Sequence, residues 1–320
     1  MFALRGIAVS LTFFVLLYCL LSALVAVVWR SLRVLPVTER SRASLLFGLR
    51  ILPFVVSVVI TFAFVVPSFQ LLEPRSMEID EGMGSVPLAL GICALLLIAC
   101  GCFRVVAALT KTSRVVSGWL QGAHPLARTP MQADHHSVAL CSRPEAPPLT
   151  LVGVHRPQVL VSESALALLT RDELQIALRH ELAHMRSRDN LKKLFFRFCP
   201  FPGMAKLENQ WSQTAELAAD DAAVSNVNDA LDLAAALVKL SRLVSADAAP
   251  VCTVGFVTGS LGARVARLLS WDEAQAAKLQ PARIRPWHAI PPLAVALLCI
   301  FATYGPALAL THELTEWLVR

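Results

Sequence analysis

The residues of this sequence best suited to chemistry lie in the segment His180-Glu181-Leu182-Ala183-His184. Residues four apart lie on one face of an α-helix, so His180 and His184 could bind a single metal ion. Glu181 would then reach a water molecule on that ion and act as its general base. Two imidazole ligands and a carboxylate base are typical of zinc-dependent hydrolases, so Zn2+ is the expected cofactor.

A catalytic zinc needs three protein ligands and one open position. Glu216, on a later predicted helix, is the candidate third ligand. Asp220 lies four residues further and would accept the free ring N–H of a ligand histidine. The alternative is that Glu216 and Asp220 form the charged face of an amphipathic helix. Asp221 is expected to be solvated, and a helix-end or ion-pair role for Asp189 is at least as well supported as a catalytic one.

Several short elements should position these residues. Thr170 is a predicted N-cap, and Glu173 would complete a capping box at the start of the helix that carries both histidines. We expect this helix at 171–187, strands at 149–154 and 158–161, a short helix at 164–169, further helices at 208–224 and 230–244, and a loop at 122–148.

The composition indicates a membrane protein. The chain is 56% hydrophobic and 16% charged, with a mean hydropathy of +0.59. An average soluble protein carries about 25% charged residues. Four apolar stretches are long enough to span a bilayer: residues 6–29, 45–69, 86–109 and 289–310. Arg50 lies near the start of the second stretch, where we expect it to extend to the headgroups.

The basic residues predict an orientation. Arg30, Arg33, Arg40 and Arg42 follow the first stretch, whereas the loop after the second is acidic. The first loop should therefore be cytoplasmic. This places both termini outside and the middle region inside, in a multi-pass protein of a bacterial-type inner membrane. The net charge of +6 is interpreted as topological, so no direct nucleic-acid binding is expected. The eight cysteines form no disulfide framework, which agrees with a reducing compartment.

The predicted architecture is a mainly α membrane protein. Four transmembrane helices have an α+β zinc peptidase domain inserted between the third and fourth. The domains are residues 1–110 with three transmembrane helices, 111–287 with the cytoplasmic zinc metallopeptidase domain, and 288–320 with the fourth helix and a short tail.

The motifs resemble those of a known family, the BlaR/MecR-type membrane zinc peptidases, which are β-lactam sensor-transducers. The resemblance rests on His-Glu-Leu-Ala-His at 180–184, Arg-Ser-Arg-Asp-Asn at 186–190, Glu-Leu-Ala-x-Asp at 216–220 and the strand at 156–161. It covers approximately residues 152–224, and the order of three spans, domain and fourth span is similar too.

The resemblance implies a gluzincin-like domain that holds zinc through His180, His184 and Glu216. It also implies a transducing protease that inactivates a BlaI-like transcriptional repressor. Family sensors continue past the fourth span into a large extracellular penicillin-binding domain, whereas this sequence ends at Arg320. We therefore expect no β-lactam acylation site, and the activating signal stays open.

The chemistry leaves several alternatives. A housekeeping membrane metalloprotease of the HtpX or CAAX-processing type would share both metal motifs, and a non-catalytic membrane receptor could retain a vestigial metal site. The expected partners are a protein substrate and the lipid bilayer, with a homo-oligomer left open. An extended substrate could pair with an open edge of the strand at 149–154. His155, Arg156 and Arg188 are candidate donors to the oxyanion.

Overall fold

The computed structural model describes residues 2–30, 37–73, 84–120, 124–125, 138–141, 147–154, 157–243, 254–255, 261–272 and 290–319. These residues are mostly helical and include a small sheet. The helices are α1 (Phe2–Val28), α2 (Glu39–Ile60), α3 (Val66–Leu72), α4 (Ser85–Leu120), α5 (Glu163–Leu168), α6 (Arg171–Ser187), α7 (Asp189–Phe198), α8 (Ala205–Ala223), α9 (Val227–Ser241), α10 (Leu261–Leu269) and α11 (Ile290–Val319). The strands are β1 (His124–Pro125), β2 (Val138–Cys141), β3 (Leu149–Val152), β4 (Gln158–Ser162) and β5 (Val254–Gly255).

Three helical segments within the described ranges are long and apolar enough to cross a membrane. They are Phe2–Val28, Glu39–Leu72 and Ser85–Trp119, with 27, 34 and 35 residues. A bilayer core needs about 20 helical residues, so all three segments exceed its thickness. The predicted spans 45–69 and 86–109 fall within the second and third segments, and the predicted span 6–29 ends one residue beyond the first. The chain therefore has the helices of a membrane protein.

The second segment contains a π-helical turn, Thr61–Val65, between α2 and α3. Pro67 lacks the N–H group that would bond to the Ala63 carbonyl in an α-helix. Tyr304, on α11, donates its hydroxyl to this Ala63 carbonyl at 2.9 Å. The predicted fourth span, 289–310, thus corresponds to a helix that contacts the second segment, although residue 289 lies outside the described residues.

Arg50 was expected to extend to the headgroups, but its side chain is buried against other parts of the protein. It lies on α2 with only 2% of its surface exposed. Its Nε donates to Glu208 Oε1 of α8 at 2.8 Å, and its Nη2 donates to the Cys199 carbonyl. A buried guanidinium needs such partners, because an unpaired charge away from water is costly. The arginine therefore joins the membrane helices to α8.

The sheet has the strand order β1-β2-β4-β3-β5. Strands β3 and β4 are antiparallel, as the two predicted strands require, while β2 is parallel to β4. The prediction of a loop over 122–148 is wrong where β1 and β2 form. Both strands are too short to carry a periodic signal, and they are stabilised by pairing: β2 pairs with β4, and β1 pairs with β2.

The substrate-pairing hypothesis assumed that the outer edge of β3 is open, but β5 occupies this edge. Thr150 and Leu151 pair with Gly255 and Val254 of β5 in antiparallel register. Asn190 Nδ2 also contacts this region and donates to the carbonyls of Leu151 and Gly153, at 3.3 and 3.0 Å. A contact 39 residues apart in sequence ties the start of α7 to this strand.

Two apolar clusters position the helices that carry the candidate site. The first packs β3 and β4 against α6 and α9, and includes Leu151, Leu178 and Leu237. The second joins the membrane segments to α7 and α8, and includes Trp29, Phe196 and Trp211. The first cluster includes residues of α6, and the second includes residues of α8. The site between these helices is therefore set both by the sheet and by the membrane helices.

Candidate metal centre

The helix α6 presents the His180–His184 motif from a well-defined start. The Thr170 side chain accepts from Glu173 N at 3.3 Å, and Glu173 Oε2 accepts from Thr170 N at 2.8 Å. This is the predicted capping box. The helix ends at Ser187, and the next residue, Arg188, has a left-handed backbone (φ 55°) that separates α6 from the start of α7 at Asp189.

His180, His184 and Glu216 lie together between α6 and α8, as the motif spacing predicts. The two Nε2 atoms are 3.2 Å apart. Glu216 Oε2 lies 3.6 Å from His180 Nε2, and Glu216 Oε1 lies 3.6 Å from His184 Nε2. Ligands about 2.05 Å from a tetrahedral zinc are about 3.3 Å from one another. The three side chains therefore fit one small cation.

The far ring nitrogens of both histidines face carboxylates. Asp189 Oδ2 lies 2.7 Å from His184 Nδ1, and Asp220 Oδ1 lies 3.0 Å from His180 Nδ1. A carboxylate can only accept, so each Nδ1 carries a hydrogen, and Nε2 is the ring atom of each histidine that would bind a metal. Asp220 is placed as predicted. Asp189 has the same relation to His184, which the sequence left undecided.

The facing lone pairs and carboxylate require a positive charge between them. Burial lowers the pKa of His184, but the charge on Glu216 and the Asp189 contact outweigh it and raise the pKa to about 10. Burial raises the pKa of Glu216, yet His184, His180 and Arg264 hold it well below its usual range. A proton on His184 supplies the required charge when no metal is bound. The donor set is thus suited to zinc, which would replace that proton.

Glu181 is buried beside this donor set. Its exposed fraction is 0%, and neither carboxylate oxygen has a hydrogen-bond partner of ordinary geometry among the described residues. Burial raises the pKa of Glu181. The Leu151 backbone N–H is the nearest donor and contributes only weakly, so this buried carboxylate costs stability and does not serve the fold. Hydrogen bonding to a water or a substrate would satisfy it.

Arg264 is a buried member of the site that sequence reasoning missed. It lies on α10, is 3% exposed, and donates from Nε and Nη2 to the two oxygens of Asp220 at 2.8 and 2.6 Å. Its Nη1 donates to Glu216 Oε2 at 2.9 Å. The only sequence signal is an arginine on the apolar side of an amphipathic helix. Nothing in that pattern identifies its partners on α8.

The remaining predicted residues lie at the margins of the site or outside the described residues. Asp221 is turned away from the histidines, as expected, but it forms an ion pair with Arg267 of α10 at 2.6 Å. Arg188 is exposed at the turn between α6 and α7. His155 and Arg156 fall outside the described residues, so no oxyanion donor is assigned.

No protein-family model matches the sequence, and no curated protein matches it. The resemblance to BlaR/MecR-type peptidases therefore stays a prediction that rests on the motifs.

Proposed function

We propose that this chain is an integral-membrane zinc endopeptidase. The observation that supports the proposal most directly is the convergence of His180 Nε2, His184 Nε2 and the Glu216 carboxylate at 3.2 to 3.6 Å, all buried. Glu181, buried without a hydrogen-bond partner of ordinary geometry among the described residues, lies on the same helix. A structural metal site has no need of such a carboxylate, whereas a hydrolase needs a general base there.

In this proposal the chain's own residues have distinct tasks. A bound zinc would supply a water of lowered pKa and polarise the carbonyl of the scissile peptide. Glu181 takes a proton from that water and transfers it to the leaving amine. Asp189 and Asp220 hold the ring hydrogens of His184 and His180, which keeps both Nε2 atoms available as ligands.

The compartment of the proposed enzyme follows from the orientation of its helices in the membrane. The arginine-rich first loop favours a cytoplasmic location for the gluzincin-like domain, with α11 as a fourth transmembrane helix and both termini outside. We propose a signal-transducing role, in which a cytoplasmic protein such as a BlaI-like repressor is the substrate. The Arg50–Glu208 contact supports this role, because it joins a membrane helix directly to the helix that carries Glu216.

The experiment compares Glu181→Gln with the unchanged full chain in cells, by proteome-wide detection of new protein N-termini. We expect one cytoplasmic protein to be cleaved only by the unchanged chain. If many membrane proteins are cleaved instead, the result favours a housekeeping role and contradicts the signalling role. Purified Glu181→Gln should still hold one zinc, whereas His180→Ala should lose it. The enzyme proposal fails if Glu181→Gln leaves every cleavage unchanged.

A further inference from the structure

Arg264 binds two acidic residues of α8 at the same time. Glu216 and Asp220 are one helical turn apart and both are almost fully buried. Two ionised carboxylates this close repel each other in a medium of low dielectric constant. The Arg264 guanidinium lies 2.9 Å from the Glu216 carboxylate and 2.6 Å from the Asp220 carboxylate, so its positive charge offsets this repulsion.

The contacts also use the shape of the guanidinium. Two parallel bonds to Asp220 and one to Glu216 need three donors in one plane, which arginine has and lysine lacks. Asp220 in turn lies 3.0 Å from the His180 ring nitrogen. A connected path thus runs from Glu216 through Arg264 and Asp220 to His180. Two of the three proposed ligands are oriented by one side chain.

Two effects of Arg264 on a bound cation oppose each other. Its positive charge repels the metal, which would weaken binding. Its hydrogen bonds hold the Glu216 carboxylate directly and the His180 imidazole through Asp220. Less side-chain conformational entropy is then lost when the metal binds, which would strengthen binding. Charge and orientation can be separated, because lysine keeps the first and loses most of the second.

We propose that Arg264 is a positioning residue of the metal centre, and that its forked hydrogen bonds outweigh its charge in their effect on zinc affinity. The proposal rests on the proposed function only in taking His180, His184 and Glu216 as metal ligands. It assigns α10 to the site, although no residue of α10 is a ligand. It also implies that a displacement of α10 would change the metal centre.

The test measures zinc affinity by competition with a chelator, on the purified full chain in detergent. Arg264→Lys and Arg264→Gln should each bind zinc about 10- to 100-fold more weakly than the unchanged chain. Arg267, one turn further along α10 and paired with Asp221 at the surface, is the matched control. Arg267→Lys and Arg267→Gln should bind zinc within about twofold of the unchanged chain.

The absorption spectrum of the Co2+-substituted protein separates positioning from folding. If Arg264 orients Glu216 and His180, Arg264→Lys will shift the cobalt d–d bands, while thermal unfolding of the metal-free protein will show a folded chain. Unchanged or tighter zinc binding in Arg264→Gln, with an unchanged cobalt spectrum, overturns the proposal. Failure of both Arg264 variants to fold also overturns it, since the residue is then structural. If the unchanged chain binds no zinc, the proposed function itself fails.

Discussion

Arg50 of α2 and Glu208 of α8 form an ion pair at 2.8 Å between residues 158 positions apart. The arginine is 2% exposed, and the glutamate side chain is 32% exposed. Glu208 lies two helical turns before Glu216, about 12 Å along the helix axis. The candidate metal centre and a candidate membrane span are therefore attached to the same rigid element. A displacement of the membrane span should therefore also displace the metal centre.

Glu208→Gln should destabilise the protein by about 2 kcal/mol, because it leaves the buried Arg50 without its carboxylate. The cost is below that of a fully buried pair, since water reaches Glu208. Thermal unfolding in detergent measures the effect. Lys206→Gln, an exposed change on the same helix, is the control and should leave the unfolding temperature nearly unchanged. Equal unfolding temperatures for both variants would contradict the prediction.

Gly101→Ala should force α4 and α7 apart. A Cβ at Gly101 would lie well inside contact distance of the Phe198 carbonyl, which is backbone and cannot rotate away. Such overpacking costs about 1 to 3 kcal/mol. On the same helix, Gly118→Ala meets nothing within 4 Å and should stabilise the helix by about 0.5 to 1 kcal/mol. Unfolding temperatures that shift in opposite directions would confirm the close approach, whereas two increases would rule it out.

Asp189→Asn should weaken zinc binding about 10- to 100-fold, because the amide no longer holds the Nδ1 hydrogen of His184 with a full negative charge. Chelator competition measures the change. Asp189 also pairs with Lys192 at 3.0 Å, so Lys192→Met is needed to separate that contact. Asp221→Asn makes the same chemical change in a surface ion pair and should have no effect. Zinc affinity that is equal in Asp189→Asn and Asp221→Asn would remove Asp189 from the site.

Glu173→Gln should reduce stability in a pH-dependent way. Burial raises the pKa of Glu173, but Lys239, which donates to it at 2.7 Å, and the Thr170 contacts hold the pKa below its usual value. A lowered carboxyl pKa contributes stability above the unfolded pKa of about 4.3, and this contribution disappears as the pH falls through the folded value. Glutamine can keep the contact with Thr170 N and removes only the charge.

We therefore expect Glu173→Gln to cost about 0.5 to 1 kcal/mol at pH 7. The difference from the unchanged protein should shrink as the pH falls below about 4. Thermal unfolding at pH 7 and below about pH 4 measures this difference in stability. Asp172→Asn, an exposed change in the same helical turn, is the control. A difference that grows at acidic pH would show that Glu173 stabilises the fold in its protonated form.

Local patterns in the sequence were sufficient for the elements that act over short distances. The apolar stretches specify three helices long enough for a membrane, since hydrophobic length alone sets that property. Thr170 and Glu173 specify the start of α6, because both capping partners lie within one turn. The spacing of His180, Glu181 and His184 on that helix then follows from 3.6 residues per turn.

The tertiary structure alone decided which side chains complete the site. Arg264 reaches Asp220 across 44 positions, and Arg50 reaches Glu208 across 158. Asp189 faces His184 because the left-handed residue Arg188 turns α7 back towards α6. The two arginine contacts depend on how helices pack, and no periodic signal in the chain encodes a partner at such separations. The sequence by itself therefore determined the candidate ligands, the helix that presents the two histidines and Asp220 as the partner of one of them, while packing determined the contacts of Arg264 and Asp189.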